Sequence, residues 1–156
     1  MNHRPDQRAI QRVRDALSED AELEVHPLDV EDACRRYAGD GYEVVPQLRN
    51  FLEAYGELTV SWTRREWRNE LTTSVRATLE SAHATPRNLG IHAKRLGFPV
   101  VLVGTVFETE ESVLLAGDGD IFFFGDAGFQ RVANGFENAV RAVLTGDWDK
   151  TFFWEL

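Results

Sequence analysis

From Pro99 to Phe107 the chain runs Pro-Val-Val-Leu-Val-Gly-Thr-Val-Phe, an almost unbroken apolar stretch that admits few folds. It is far too short to cross a bilayer core of roughly 30 Å. Its length and β-branched content instead predict a central strand buried on both faces, which requires a sheet with covering elements on each side. Glu111 to Ala116, the turn Gly117-Asp-Gly-Asp120 and Ile121 to Phe124 follow as strand, turn and strand. Together they read as a meander.

Helical signals surround this sheet. Ala9, Ile10, Val13 and Leu17 recur at helical spacing within Asp6 to Leu17, with Arg4, Arg8 and Arg12 on another face as solvated surface. A polar loop then leads to a strand around Leu23 to His26, and Asp29 is placed to cap a second helix that runs through Tyr37 and ends at Gly39. Gly41 to Val45 reads as a linker or short strand. Pro46 begins a third helix, with Leu48, Phe51, Leu52 and Tyr55 on one face and Gly56 as its stop. Leu58 to Trp62 alternates as a strand, Arg64 to Asn69 reads as a charged turn, and Leu71 to Val75 as a strand antiparallel to the previous one. Thr85-Pro86 opens a helix that Gly97 closes. Asn134-Gly-Phe-Glu137 has the form of a capping box for a last helix ending at Gly146. The tail from Asp147 to Leu156 is aromatic and is expected to dock on the core.

Composition supports a single compact domain over 1–156, with 43% hydrophobic residues in 156. The segment Met1 to Arg8 has no apolar region of the secretory kind, so a cytoplasmic location is expected. The single Cys34 has no partner for a disulfide or a zinc pair and reads as a small buried helix residue.

A search for chemistry finds little. His3, His26, His83 and His92 lack the spacing that puts two imidazoles on one helix face, and Asp118-Gly-Asp120 fails as a calcium loop because Phe129 stands where the twelfth-position Glu would be. No nucleophile elbow, phosphate-binding Gly-rich loop or dinucleotide fingerprint occurs. No metal, cofactor or catalytic residue is expected.

Charge is the more informative property. The net charge is −9, and two windows hold no Lys or Arg: Asp15 to Cys34 and Leu96 to Gln130. The second carries Glu108, Glu110, Glu111, Asp118, Asp120 and Asp126. Such a field repels phosphate backbones and anionic lipids and steers basic partners inward. Binding to nucleic acid or membrane is therefore not expected.

Three segments, in order, resemble a known family. Phe51-Leu-Glu-Ala-Tyr-Gly-Glu-Leu58 is similar to a Phe-Leu-x-x-Tyr-Gly-Gly-Leu helix-to-strand block, Leu96-Gly-Phe-Pro-Val-Val-Leu-Val-Gly104 echoes a Leu-Gly…Pro-Val-Gly region, and Gly135 to Gly146 matches a closing helix with Ala, Leu and Gly at set intervals. These resemble the SUKH superfamily of bacterial immunity proteins, its third family in particular, over residues 10–146. Glu57 stands where the second Gly is usual, and the Pro-Val-Gly block is stretched.

The resemblance implies an α+β fold with a mainly antiparallel sheet of five to six strands and helices around it. It implies a non-enzymatic protein that neutralises a cognate toxin domain of a polymorphic or contact-dependent bacterial toxin, for example a nuclease or nucleic-acid deaminase with a basic cleft. The six acids of the second window are the candidate toxin-facing strip, with Trp148 and Trp154 as candidate aromatic anchors. The alternative is a regulatory interaction scaffold like the fungal cell-wall synthesis regulators of the same superfamily.

Overall fold

The computed structural model describes residues 5–81, 83–108 and 110–152. Its centre is the apolar run, which forms the strand Val100–Val106, in which only Val101 is not fully buried. The strands, in chain order, are β1 (Glu22–Val25), β2 (Leu58–Arg64), β3 (Trp67–Thr72), β4 (Val100–Val106), β5 (Glu111–Ala116), β6 (Asp120–Gly125) and β7 (Gly128–Asn134). They lie in one seven-stranded sheet in that same order, each antiparallel to the next. The helices are α1 (Gln7–Ala16), α2 (Val30–Gly39), α3 (Pro46–Tyr55), α4 (Val75–Glu80), α5 (Pro86–Leu96) and α6 (Phe136–Thr145).

Both faces of the sheet are covered, as the apolar run requires. Successive strand residues point to opposite faces, and on β6 the rings sort accordingly. Phe122 meets Phe98, and Phe124 meets His92 of α5, whereas Phe123 meets Phe107 and Trp148. Helix α6 buries Phe136, Ala139, Val140, Ala142 and Val143 and joins α3 through Phe136, whose ring packs on Phe51 and Tyr55. Helix α1 adds Ala9, Ile10, Val13 and Ala16 to the core.

The sheet has one strand more than the upper expectation, and the difference has local causes. The expected charged turn over 64–69 shrinks to Arg65 and Glu66, because Arg64 pairs directly with Trp67 across a two-residue hairpin. The expected strand to Val75 stops at Thr72, since the Ser74 side chain accepts from the Ala77 N–H and starts α4. Strand β7 was not foreseen at all. A register shift opposite Ile121/Phe122 breaks its alternation, so no clean period of two marks it.

Two caps also differ from expectation. The N-cap of α6 is Gly135, with no side-chain hydrogen bond. Asn134 instead donates to the Asp118 carbonyl and the Asp120 carboxylate, both at 3.0 Å, and Glu137 accepts from the Tyr55 hydroxyl at 3.0 Å. Gly56 ends α3 with extended backbone rather than a left-handed turn. Its glycine is required by space, because a Cβ there would lie 2.8 Å from Leu28 Cδ2 and 3.0 Å from the Leu52 carbonyl oxygen. Gly104, in the bulge of β4, is more constrained still: a Cβ would sit 2.5 Å from the Thr72 carbonyl oxygen of β3. Gly41 to Val45 is loop, without a strand. Asp29, Pro46, Thr85, Gly97 and Gly146 open or close their helices where the sequence placed them.

Candidate functional site

Antiparallel neighbours send their turns alternately to opposite ends of the sheet. The turns between β2 and β3, β4 and β5, and β6 and β7 lie at one end, the near end, while the β5–β6 turn lies at the far end. This division splits the acid-only window. Glu108 and Glu110 are exposed in the β4–β5 turn, Glu111 is half-buried at the start of β5, and Asp126 is fully exposed in the β6–β7 turn. Asp118 and Asp120 belong to the far end. Six residue steps from Glu111 to Gly117, at about 3.4 Å each, put about 20 Å between the two groups.

At the near end the carboxylates form a rim. A Cβ on Gly125 would lie 2.7 Å from Glu111 Cγ and 3.3 Å from the Glu110 carbonyl oxygen, so the end of β6, next to Asp126, abuts the Glu110–Glu111 segment. Burial pushes the Glu111 carboxyl pKa up, and the neighbouring charge of Glu110 pushes it further in the same direction. Asp126 faces His83 Nδ1 at 3.5 Å. Among the described residues, Glu108, Glu110 and Glu111 have no ion-pair partner.

The far end is built differently. Asp118 is exposed, and its Oδ1 accepts the Asp120 N–H at 2.9 Å, closing the turn. Asp120 is only 4% exposed. Arg131 lies 2.6 Å from its Oδ2, and Asn134 donates to Oδ1. Burial alone would raise its pKa, but the hydrogen bonds from Asn134 and Arg131, with the Arg131 charge, outweigh it and hold the carboxyl below its ordinary value. Asp120 thus locks β6 to β7 and presents no free carboxylate.

The first acid-only window is largely spent on structure. Asp29 caps α2, Glu31 pairs with Arg49, Asp32 with Arg35, Glu22 with Arg68, and Glu24 lies beside His26. Of the two candidate anchors, Trp148 is docked: its indole N–H donates to Gln130 Oε1 at 3.0 Å and its ring packs edge-on to Phe123. Trp154 lies outside the described residues, as does Arg4.

The largest exposed aromatic among the described residues escaped sequence reasoning. Trp67 is 76% exposed at the start of β3, in a run from Thr63 to Arg68 that is exposed throughout. It belongs to the near end. The four non-glycine residues with positive φ among those described also belong there, namely Arg65 (52°), Glu66 (70°), Phe107 (57°) and Glu108 (55°). An Arg-Glu turn carries none of the Asn, Asp or Gly signals that announce a two-residue hairpin, so only the pairing of Arg64 with Trp67 reveals it.

Among the described residues no three His, Cys, Asp or Glu side chains are grouped to hold a metal ion, and no helix is long and apolar enough to cross a membrane. Cys34 is buried on α2, and burial raises its thiol pKa. A family model describing the SUKH-3 immunity proteins matches residues 4–146. No curated protein and no solved structure matches the chain.

Proposed function

Because this chain belongs to the SUKH-3 immunity protein family, its role is that of an immunity protein with a toxin as partner, and we propose that it blocks a basic toxin cleft with the near end of its sheet. The observation that carries this reading is the convergence of Glu108, Glu110, Glu111 and Asp126 on one rim, with three of them in no ion pair among the described residues, while Asp29 caps a helix and Glu22, Glu31, Asp32 and Asp120 pair with cations. A toxin that cuts or deaminates nucleic acid needs a cationic cleft to hold phosphates, and a rim of carboxylates can occupy that cleft in their place.

The strained turns fit the same reading. A left-handed conformation costs a non-glycine residue about 1–2 kcal/mol, and such strain concentrates at binding sites. The action is binding rather than catalysis, by a single cytoplasmic domain spanning 1–156. Asp118 at the far end lies outside the interface, Asp120 supports the β6–β7 pairing, and Trp148 packs against Phe123.

The test is co-expression with the product of the adjacent open reading frame. Protection of the cells and a one-to-one complex on co-purification are expected. A harmless neighbour, or cell death despite the presence of this chain, would sink the reading.

A further inference from the structure

The near end has a second half of opposite character. Arg64, Arg65, Trp67, Asn69 and Lys150 line an open hollow of about 510 Å³ on the β2–β3 hairpin. Arg68, the next residue of β3, points to the opposite face of the sheet and pairs there with Glu22 at 3.7 Å, so it lies outside this patch. Arg64 and Arg65 have no ion-pair partner among the described residues. A patch of cations around an exposed indole is unusual on a chain of net charge −9, and Trp and Arg are the residues that most often carry interface energy.

The hairpin turn itself adds an independent observation. A two-residue hairpin with positive φ at both positions is best made by Asn-Gly, yet here Arg65 and Glu66 occupy them at 52° and 70°. Folding alone would favour the smaller residues. The large charged side chains are held in a costly conformation, which points to a use outside the fold.

We propose that this hairpin is the specificity anchor of the toxin interface: Trp67 enters an apolar socket on the toxin domain, and Arg64 and Arg65 meet carboxylates around that socket. The inference rests on the toxin-blocking reading above and adds its second half. A partner must then present a basic region to the Glu108–Asp126 rim and, beside it, an acidic one to the hairpin. Such a two-sign surface admits one orientation only, since rotation of the partner sets like charges against each other. Nucleic acid does not fit the same patch, because its phosphates would face the four carboxylates of the rim at the same end.

The experiment measures binding of the purified, catalytically inactivated toxin from the neighbouring open reading frame to wild type, Trp67→Ala, Trp67→Glu and the double variant Arg65→Asn/Glu66→Gly. Both Trp67 variants should keep the wild-type melting temperature and weaken binding by about 30-fold or more, chiefly through faster dissociation. The turn variant should melt about 4 °C higher, from relief of two left-handed residues, and bind several-fold more weakly. Wild-type affinity in both Trp67 variants overturns this inference and leaves the toxin-blocking reading intact. Failure of the wild type to bind the neighbour's product overturns both. A concentration-dependent dimer, or binding of a single-stranded oligonucleotide at physiological salt, that Trp67→Ala abolishes would assign the patch to another occupant and overturn the inference as well.

Discussion

Reversing two rim charges should slow toxin capture in a way that reversing a far-end charge cannot. We predict that Glu108→Lys/Glu110→Lys lowers the association rate about 20-fold at 0.15 M salt, while Asp118→Lys changes it less than 2-fold. Two unit charges about 5 Å apart in water attract by about 0.8 kcal/mol, and a Debye length of about 8 Å cuts this to about 0.4 kcal/mol. Each reversal turns attraction into repulsion and doubles the effect, so two reversals total about 1.8 kcal/mol, or about 20-fold. For Asp118, about 20 Å from the rim along β5, the same arithmetic leaves under about 0.05 kcal/mol. Stopped-flow association across 0.05–0.5 M salt is the assay, with the rim effect shrinking as salt rises. Equal slowing by Asp118→Lys would show that net charge acts instead of a localised rim, and a rim variant indifferent to salt would refute the electrostatic argument altogether.

Stability should depend on pH through His92, which is buried against the rings of Phe124 and Phe129. Burial lowers its pKa, and the backbone of His83 opposes the shift without outweighing it. The folded protein therefore keeps the ring neutral while the unfolded chain takes up a proton below about pH 6.5, so stability is full above that pH and falls as the solution is acidified through the lower folded value. His92→Leu should flatten urea midpoints between pH 5 and 7, and an unchanged slope would remove His92 as the cause. Gly104→Ala should cost about 1–3 kcal/mol, lowering the melting temperature by about 2–4 °C for each, because the added methyl meets backbone rather than a movable side chain. A neutral result would mean that β3 and β4 can separate there. Trp148→Ala should reduce stability by about 2 kcal/mol through the lost contacts to Phe123 and Gln130 and leave toxin affinity within about 3-fold. A large affinity loss with unchanged stability would restore Trp148 as an anchor.

Helix boundaries were legible in the sequence where the chemistry is local. Asp29 and Thr85 satisfy N–H groups three residues on, and Gly97 and Gly146 take the left-handed conformation directly after their helices. The apolar run was legible for a related reason, since a strand buried on both faces needs no alternation. What failed depends on distant partners. Asn134 and Glu137 formed a plausible capping box until Asp118, Asp120 and Tyr55 proved the better partners. The acid window is divided between the two ends of the sheet, because residues a few positions apart along β5 and β6 lie at opposite ends. Trp67 was hidden by a turn that breaks the usual composition rule, so it read as part of a charged loop.

The sheet's order, in which every strand pairs only with its neighbours in sequence, has a consequence for how new partners can be met. The three turns of the near end belong to three separate hairpins, each closed by its own ladder. One loop can lengthen, shorten or exchange its side chains without shifting the register of the other two. Recognition is thereby divided into independently adjustable parts on a fixed frame, so a rival's altered surface can be answered one turn at a time.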